Sequence, residues 1–93
     1  MSKNRYAAKA DANQPEIVKQ LRRLGCTVQT GHDDILVGWK GKTYWYEVKI
    51  SEAAANRKGK TADKQREIRD SWQGHYRIVW RLDQILVDMG IIG

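Results

Sequence analysis

Asp34, Glu47 and Lys49 are the residues whose types and spacing point to chemistry. They fall on two runs that read as a β-hairpin. Ile35-Leu-Val-Gly-Trp39 and the run 43–50 are rich in β-branched and aromatic residues, and Lys40-Gly41 between them suits a tight two-residue turn. With Lys40 and Gly41 as the loop, Trp39 pairs with Lys42, and the same register brings Asp34 opposite Glu47. Opposed residues on an antiparallel pair have Cβ atoms roughly 4.5–5.5 Å apart. Two carboxylates at that range repel unless a cation lies between them. Lys49, two residues beyond Glu47, projects from the same face. An Asp, a Glu and a Lys on one face of a hairpin make a site for a hard divalent metal with a fixed cation beside it. The same residues also have a structural reading, with Asp33 and Asp34 as turn residues and Glu47 and Lys49 as a solvated charge pair. The opposed register in a basic chain favours the metal site.

The elements that must position these residues follow from periodicity. Residues 1–10 show little apolar periodicity and read as a flexible basic arm, leaving 11–93 as a single domain. Asp11 with Gln14 resembles a capping box, and Pro15 is tolerated in a first turn. Ile17, Val18, Leu21 and Leu24 keep helical spacing up to Gly25, which predicts a helix over 12–24. Strands are expected at 26–30, 34–39 and 43–50, and a loop at 51–60. A second helix is expected over 62–73, with Thr61 as its cap and an Ile68–Trp72 contact inside it. Tyr76 to Trp80 reads as a fourth strand, with Ile78 inward. Leu82, Ile85, Leu86 and Met89 predict a short final amphipathic helix. The fold class is therefore α/β, a mixed sheet flanked by helices, with the third and fourth strands parallel.

Composition narrows the partners. Seventeen Lys and Arg against 11 Asp and Glu leave a net charge of +6, which favours a polyanion, most simply nucleic acid. Lys3, Arg5 and Lys9 lie in the arm, and Arg57, Lys58, Lys60, Lys64, Arg66 and Arg69 cluster after the hairpin. Such clusters neutralise phosphates, although a basic run also serves as a plain solvated surface. The single cysteine, Cys26, excludes an intrachain disulfide and reads as a small buried apolar group. No apolar run approaches a membrane span, so a soluble cytoplasmic protein is expected. No His/Cys cluster has zinc spacing. Lys58-Gly-Lys60-Thr61 lacks the upstream glycine of a phosphate-binding loop, which argues against nucleotide binding. His32 could assist near the metal, although an isolated His beside a turn is more often structural or solvent-facing, and His75 carries no assigned role. Four tryptophans are many for this length; any that is exposed points to base stacking or a dimer contact.

The αβββαβ order, Asp34, and Glu47-Val48-Lys49 together resemble the PD-(D/E)xK nuclease superfamily. The chain looks most similar to the stand-alone VRR-NUC domains of phages and bacteria, relatives of the Holliday-junction resolvases. The likeness spans roughly 11–80 and rests on Glu16, on Gly31-His-Asp-Asp34-Ile-Leu-Val-Gly38, on Tyr46-Glu-Val-Lys49 and on Thr61 to Gln65. Family members often carry Pro before the aspartate, and here that residue is Asp33. Register favours Asp34 as the ligand, because Asp33 is expected on the opposite face.

The resemblance implies a restriction-endonuclease-like core and a Mg²⁺- or Mn²⁺-dependent deoxyribonuclease. Asp34, Glu47 and the Val48 carbonyl would hold the metal. Such an ion supplies what phosphodiester hydrolysis needs, a more acidic water and positive charge at the transition state. Lys49 would orient the attacking water. Glu16 would complete a second metal site, or else serve as a first-turn Glu favoured by the helix dipole. Gln65 would bond the nucleophile or the DNA backbone, or else is an ordinary exposed glutamine. Products with 5′-phosphate and 3′-hydroxyl ends are implied in the same way. So small a core leaves little surface for base readout, which favours branched or junction DNA recognised by shape. A homodimer through the final helix, with Ile91 and Ile92, is expected. The competing reading is a non-catalytic nucleic-acid-binding accessory protein of a phage or bacterium. It predicts salt-sensitive binding without metal dependence. Cleavage of RNA is a third reading.

Overall fold

The turn at Lys40-Gly41 sets the centre of the fold. Both residues take positive φ, 50° and 81°, as a type I′ hairpin turn requires, and that turn carries the right-handed twist of its strands. In this computed structural model, which describes residues 2–57 and 59–92, the turn joins β2 (Asp34–Trp39) to β3 (Lys42–Val48). The ladder runs from Trp39↔Lys42 to Asp34↔Glu47, the register expected from the loop length. β1 (Thr27–Thr30) pairs antiparallel with β2, and β4 (Arg77–Val79) pairs parallel with β3. The result is a four-stranded mixed sheet of order β1-β2-β3-β4 in a small α/β domain.

Period-two alternation then separates the two faces of this sheet. Val28, Ile35, Val37, Tyr46, Val48 and Val79 lie in the core with Ile17, Val18 and Leu21 of α1 (Ser2–Arg23) and Ile85 of α4 (Leu82–Asp88). Leu21, Val37, Tyr46 and Ile85 have no exposed surface, and each side chain of this size contributes on the order of 1.5–3 kcal/mol when fully buried. α3 (Lys60–Ser71) lies over the β3 end of the other face, where its Gln65 reaches Glu47, and Leu36 on that face stays exposed.

Helix ends follow local chemistry. α1 stops in a Schellman arrangement, with Gly25 at φ 99°, its N–H on the Arg22 carbonyl and the Cys26 N–H on the Leu21 carbonyl. Cys26 is buried, as expected of a small apolar group.

Several boundaries differ from the sequence expectation. α1 begins at Ser2 instead of near 12 and contains Pro15. The segment 2–10 read as an arm is therefore helix, in keeping with the strong helix propensity of Ala7, Ala8, Lys9 and Ala10. The expected loop at 51–60 holds a single helical turn, α2 (Glu52–Ala55), because the Ser51 hydroxyl accepts the Ala54 N–H at 3.1 Å. Gly59, not Thr61, occupies the N-cap of α3. Trp72 leaves α3 in an extended conformation, its N–H still on the Ile68 carbonyl, and its ring packs on Trp45. Ile78 is only half-buried, because the parallel register pairs it with Glu47 and puts it on that residue's face; Tyr76 and Val79 are the buried residues of this segment. Among the described residues, no helix is long and apolar enough to cross a membrane.

Candidate functional site

The face of β3 opposite the core carries Trp45 and Glu47, two residues apart, and α3 roofs it to leave an open cleft of about 480 Å³. Asp33, Asp34, Trp45, Glu47 and Tyr76 form its floor and side, and Lys60, Lys64, Gln65 and Ile68 its roof, with His32 at the rim.

Asp34 is held from three directions. Its carbonyl accepts the Gly31 N–H at 2.8 Å and the Gln14 side chain at 3.3 Å. Its Oδ2 accepts the Trp45 indole N–H at 2.9 Å. Gly31 is required by this packing, because a Cβ there would stand 2.1 Å from Asp34 Oδ1. Asp33 departs from expectation. It lines the same cleft as Asp34 instead of the opposite face. Alternation governs residues within a strand, and Asp33 precedes β2; its carbonyl instead accepts the Val48 N–H at 2.9 Å. His32 Nδ1 lies 3.1 Å from Asp33 Oδ2.

Glu47 is 6% exposed and is the buried charged residue of the domain among those described. Its Oε2 accepts the Gln65 amide at 2.7 Å and lies 3.5 Å from Lys49 Nζ. Burial, the largest influence, pushes its carboxyl up to about 7; Lys49 pulls it down, and the neighbouring Asp33 and Asp34 carboxylates push it up again. Tyr76, 2% exposed, lines the cleft beside Glu47. Burial, followed by the Glu47 and Asp34 charges, pushes its phenol upward, so Tyr76 remains a protonated donor. α1 braces the far end: Asn13 donates to the Lys49 carbonyl at 2.7 Å and to the Trp80 carbonyl at 2.9 Å.

Asp34, Glu47, Lys49 and Gln65 therefore converge, and Val48 follows Glu47 with its side chain in the core. Glu16 does not join them. It is exposed on α1, accepts the Gln20 amide at 2.7 Å and lines no part of the cleft. The basic cluster divides. Lys60 and Lys64 line the cleft. Arg66 turns inward to the carbonyls of Ala55 and Arg57, at 3.3 and 2.6 Å, and to Asp63, so it joins α2 to α3. Arg69 pairs with Asp70 at 3.0 Å, and Arg57 is exposed. Lys58 lies outside the described residues.

Trp45, Gln14 and Tyr76 are contributors that sequence reasoning missed. Alternation from Glu47 is enough to put Trp45 on the site face. Tyr76 had no comparable signal, since the parallel pairing of β3 and β4 was legible but its register was not.

Among the described residues, no group of three or more His, Cys, Asp or Glu side chains gathers closely enough to hold a metal ion. Asp34 and Glu47 supply a two-carboxylate set of hard oxygens, Lys49 beside them. That set fits Mg²⁺ or Mn²⁺, which keep several waters and take further oxygens from a substrate phosphate, and does not fit zinc. A scan against protein-family models, a search of curated proteins and a search of solved structures each found no match for this chain.

Proposed function

We propose that the chain is a metal-dependent DNA nuclease of the PD-(D/E)xK type. It would have a restriction-endonuclease-like core most similar to VRR-NUC domains and act on branched or junction DNA. The observation that carries this reading is the meeting of Asp34 and Glu47 across the β2–β3 ladder, with Lys49 and Gln65 both on Glu47 Oε2.

A folding requirement alone does not account for that arrangement. Burying a carboxylate opposite another carboxylate costs stability unless a cation completes the site. A bound Mg²⁺ or Mn²⁺ would supply positive charge at the scissile phosphate and acidify the attacking water. The chain's own residues do the rest. Trp45 holds Asp34 in its rotamer, and Gln65 holds Glu47. Lys49, braced through its carbonyl by Asn13, presents an ammonium that orients water and offsets phosphate charge. Lys60 and Lys64 overhang the carboxylates and attract the DNA backbone across what is otherwise a negative floor.

The homodimer belongs to the same proposal. Val87 and Ile92, at the end of α4 and beyond it, are 55% and 44% exposed. Light scattering after size exclusion should show a dimer at micromolar protein, and a monomer alone would remove that part.

The deciding experiment is cleavage of labelled single-strand, duplex, flap and four-way-junction DNA with Mg²⁺, Mn²⁺ or EDTA, with Lys49→Ala in parallel. Metal-dependent cutting lost in the variant supports the nuclease. Lys60 and Lys64 over the cleft serve equally well in the alternative, a binding module without catalysis. Salt-sensitive binding with no cutting in any metal would establish that module instead.

A further inference from the structure

The strip of α3 that faces the cleft continues past the end of the helix. Lys60 and Lys64 lie one turn apart on the roof, Ile68 follows one turn later, and Trp72 stands four residues beyond Ile68 in extended conformation. Trp72 is 52% exposed, yet its ring is braced. It meets Trp45 edge to face, centroids 5.1 Å apart. The Gly74 backbone passes so close that an added Cβ would stand 2.9 Å from Trp72 Nε1. Trp45 is the cleft residue whose indole N–H holds Asp34. One end of the strip thus presents ammonium groups, and the other presents a half-exposed indole fixed against the cleft wall.

A ligand that satisfies both ends carries phosphate charge and a free aromatic face. Inside duplex DNA both faces of each base are covered by stacking, so away from a helix end only an unpaired nucleotide offers one. We propose that Trp72 is a stacking platform for an unpaired base beside the cleft, and that it makes the protein prefer DNA with a single-stranded tail or flap over blunt duplex. Lys60 and Lys64 hold the flanking phosphates, and Trp72 adds affinity only where a base is free. This inference rests on the DNA-binding reading of the cleft and not on catalysis.

The test is binding in EDTA, where no metal-dependent cutting intervenes. Fluorescence anisotropy compares a labelled blunt duplex, the same duplex with a short unpaired tail, and the tailed duplex with abasic sites in place of the tail bases. Removing one base–aromatic stack costs about 5- to 150-fold in affinity. Wild type should prefer the tailed duplex by such a factor and lose that preference on the abasic tail, a readout that needs no variant. Trp72→Leu should lose it as well while binding blunt duplex as wild type does, and Trp72→Tyr should keep most of it. Equal binding of tailed and abasic substrates by wild type would overturn the proposal. So would a Trp72→Leu protein that keeps its tail preference and only shifts from dimer to monomer. A wild type with tail preference that cuts nothing in Mg²⁺ or Mn²⁺ would remove the nuclease reading and leave this one standing.

Discussion

Asp88 and Glu47 are both carboxylates held against β3, and their surroundings differ. Asp88, the last residue of α4, accepts the Tyr46 hydroxyl at 2.6 Å, meets His75 Nε2 and lies 3.6 Å from Arg77 Nε. His75 itself is clasped edge-on by Tyr44 and Tyr46, and its Nδ1 accepts the Trp45 N–H at 3.3 Å. Burial and then the Asp88 bond push the Tyr46 phenol upward, so it stays a donor. Every neighbour of Asp88 named here is a donor or a cation. Glu47 also has a donor and a cation, Gln65 and Lys49, but it shares its cleft with two further carboxylates. The first arrangement ties α4 to the sheet. The second brings three carboxylates and the ammonium groups of Lys49, Lys60 and Lys64 together beside an opening to solvent, a crowding of like and unlike charges that marks functional sites more often than structural ones.

The largest expected effect separates the two carboxylates by function. Asp34→Asn, Glu47→Gln and Lys49→Ala should each lower metal-dependent cleavage by about 10²-fold or more in a protein that remains folded. Wild-type rates in any of the three would erase the distinction between the sites.

The next effect is on stability and depends on pH. Folding raises the Glu47 carboxyl from 4.5 to about 7, so the folded state binds this proton more tightly than the unfolded state. Its contribution to stability is full below about 4.5 and is lost as pH rises through 7. At roughly 1.4 kcal/mol per pH unit, the loss is on the order of 3 kcal/mol. Urea melts in EDTA at about pH 5 and about pH 8 should show this loss in wild type, superimposed on other titrations, and Glu47→Gln should remove it. A Glu47→Gln protein with the wild-type slope would refute the burial argument.

Asp88→Asn should behave in the opposite sense to Glu47→Gln. Weakening one partly buried charged hydrogen-bond hub costs about 1 kcal/mol or more, or about 4–8 °C in the melting temperature of so small a domain, which calorimetry reads directly. A melting temperature unchanged from wild type would mean that Asp88 does not hold α4 in place.

The smallest effects sharpen the division of the basic cluster. Lys64→Ala should reduce the slope of log affinity against log salt by about 1. Arg66→Ala, which frees main-chain carbonyls instead of a phosphate contact, should leave that slope alone and lower the melting temperature.

Legibility followed locality. The β2–β3 register is legible in the sequence, because a two-residue turn and period-two alternation are properties of adjacent residues. The helix stop at Gly25 and the amphipathic α4 are legible for the same reason. The N-terminal extent of α1 is not, since residues 2–10 are rich in helix formers but lack the apolar stripe by which helices are recognised. Nor is the turn of α2, whose Ser51 cap lies among residues equally suited to a loop. Arg66 shows the limit for charges: in sequence it is one of six like residues, and only its contacts with Ala55 and Arg57 distinguish it from Lys64.

By itself the sequence determined that Asp34 faces Glu47, that Lys49 shares their face, that the chain is basic and that a mixed sheet with helices carries them. Those are consequences of turn geometry, alternation and composition, which act over a few residues. Tertiary structure alone decided that Asp33 turns into the cleft, that Tyr76 lines it beside Glu47, that Glu16 stays away and that Trp72 stands exposed against Trp45. Each of these depends on how segments distant in sequence cross and pack, and no local periodicity encodes where two such segments meet.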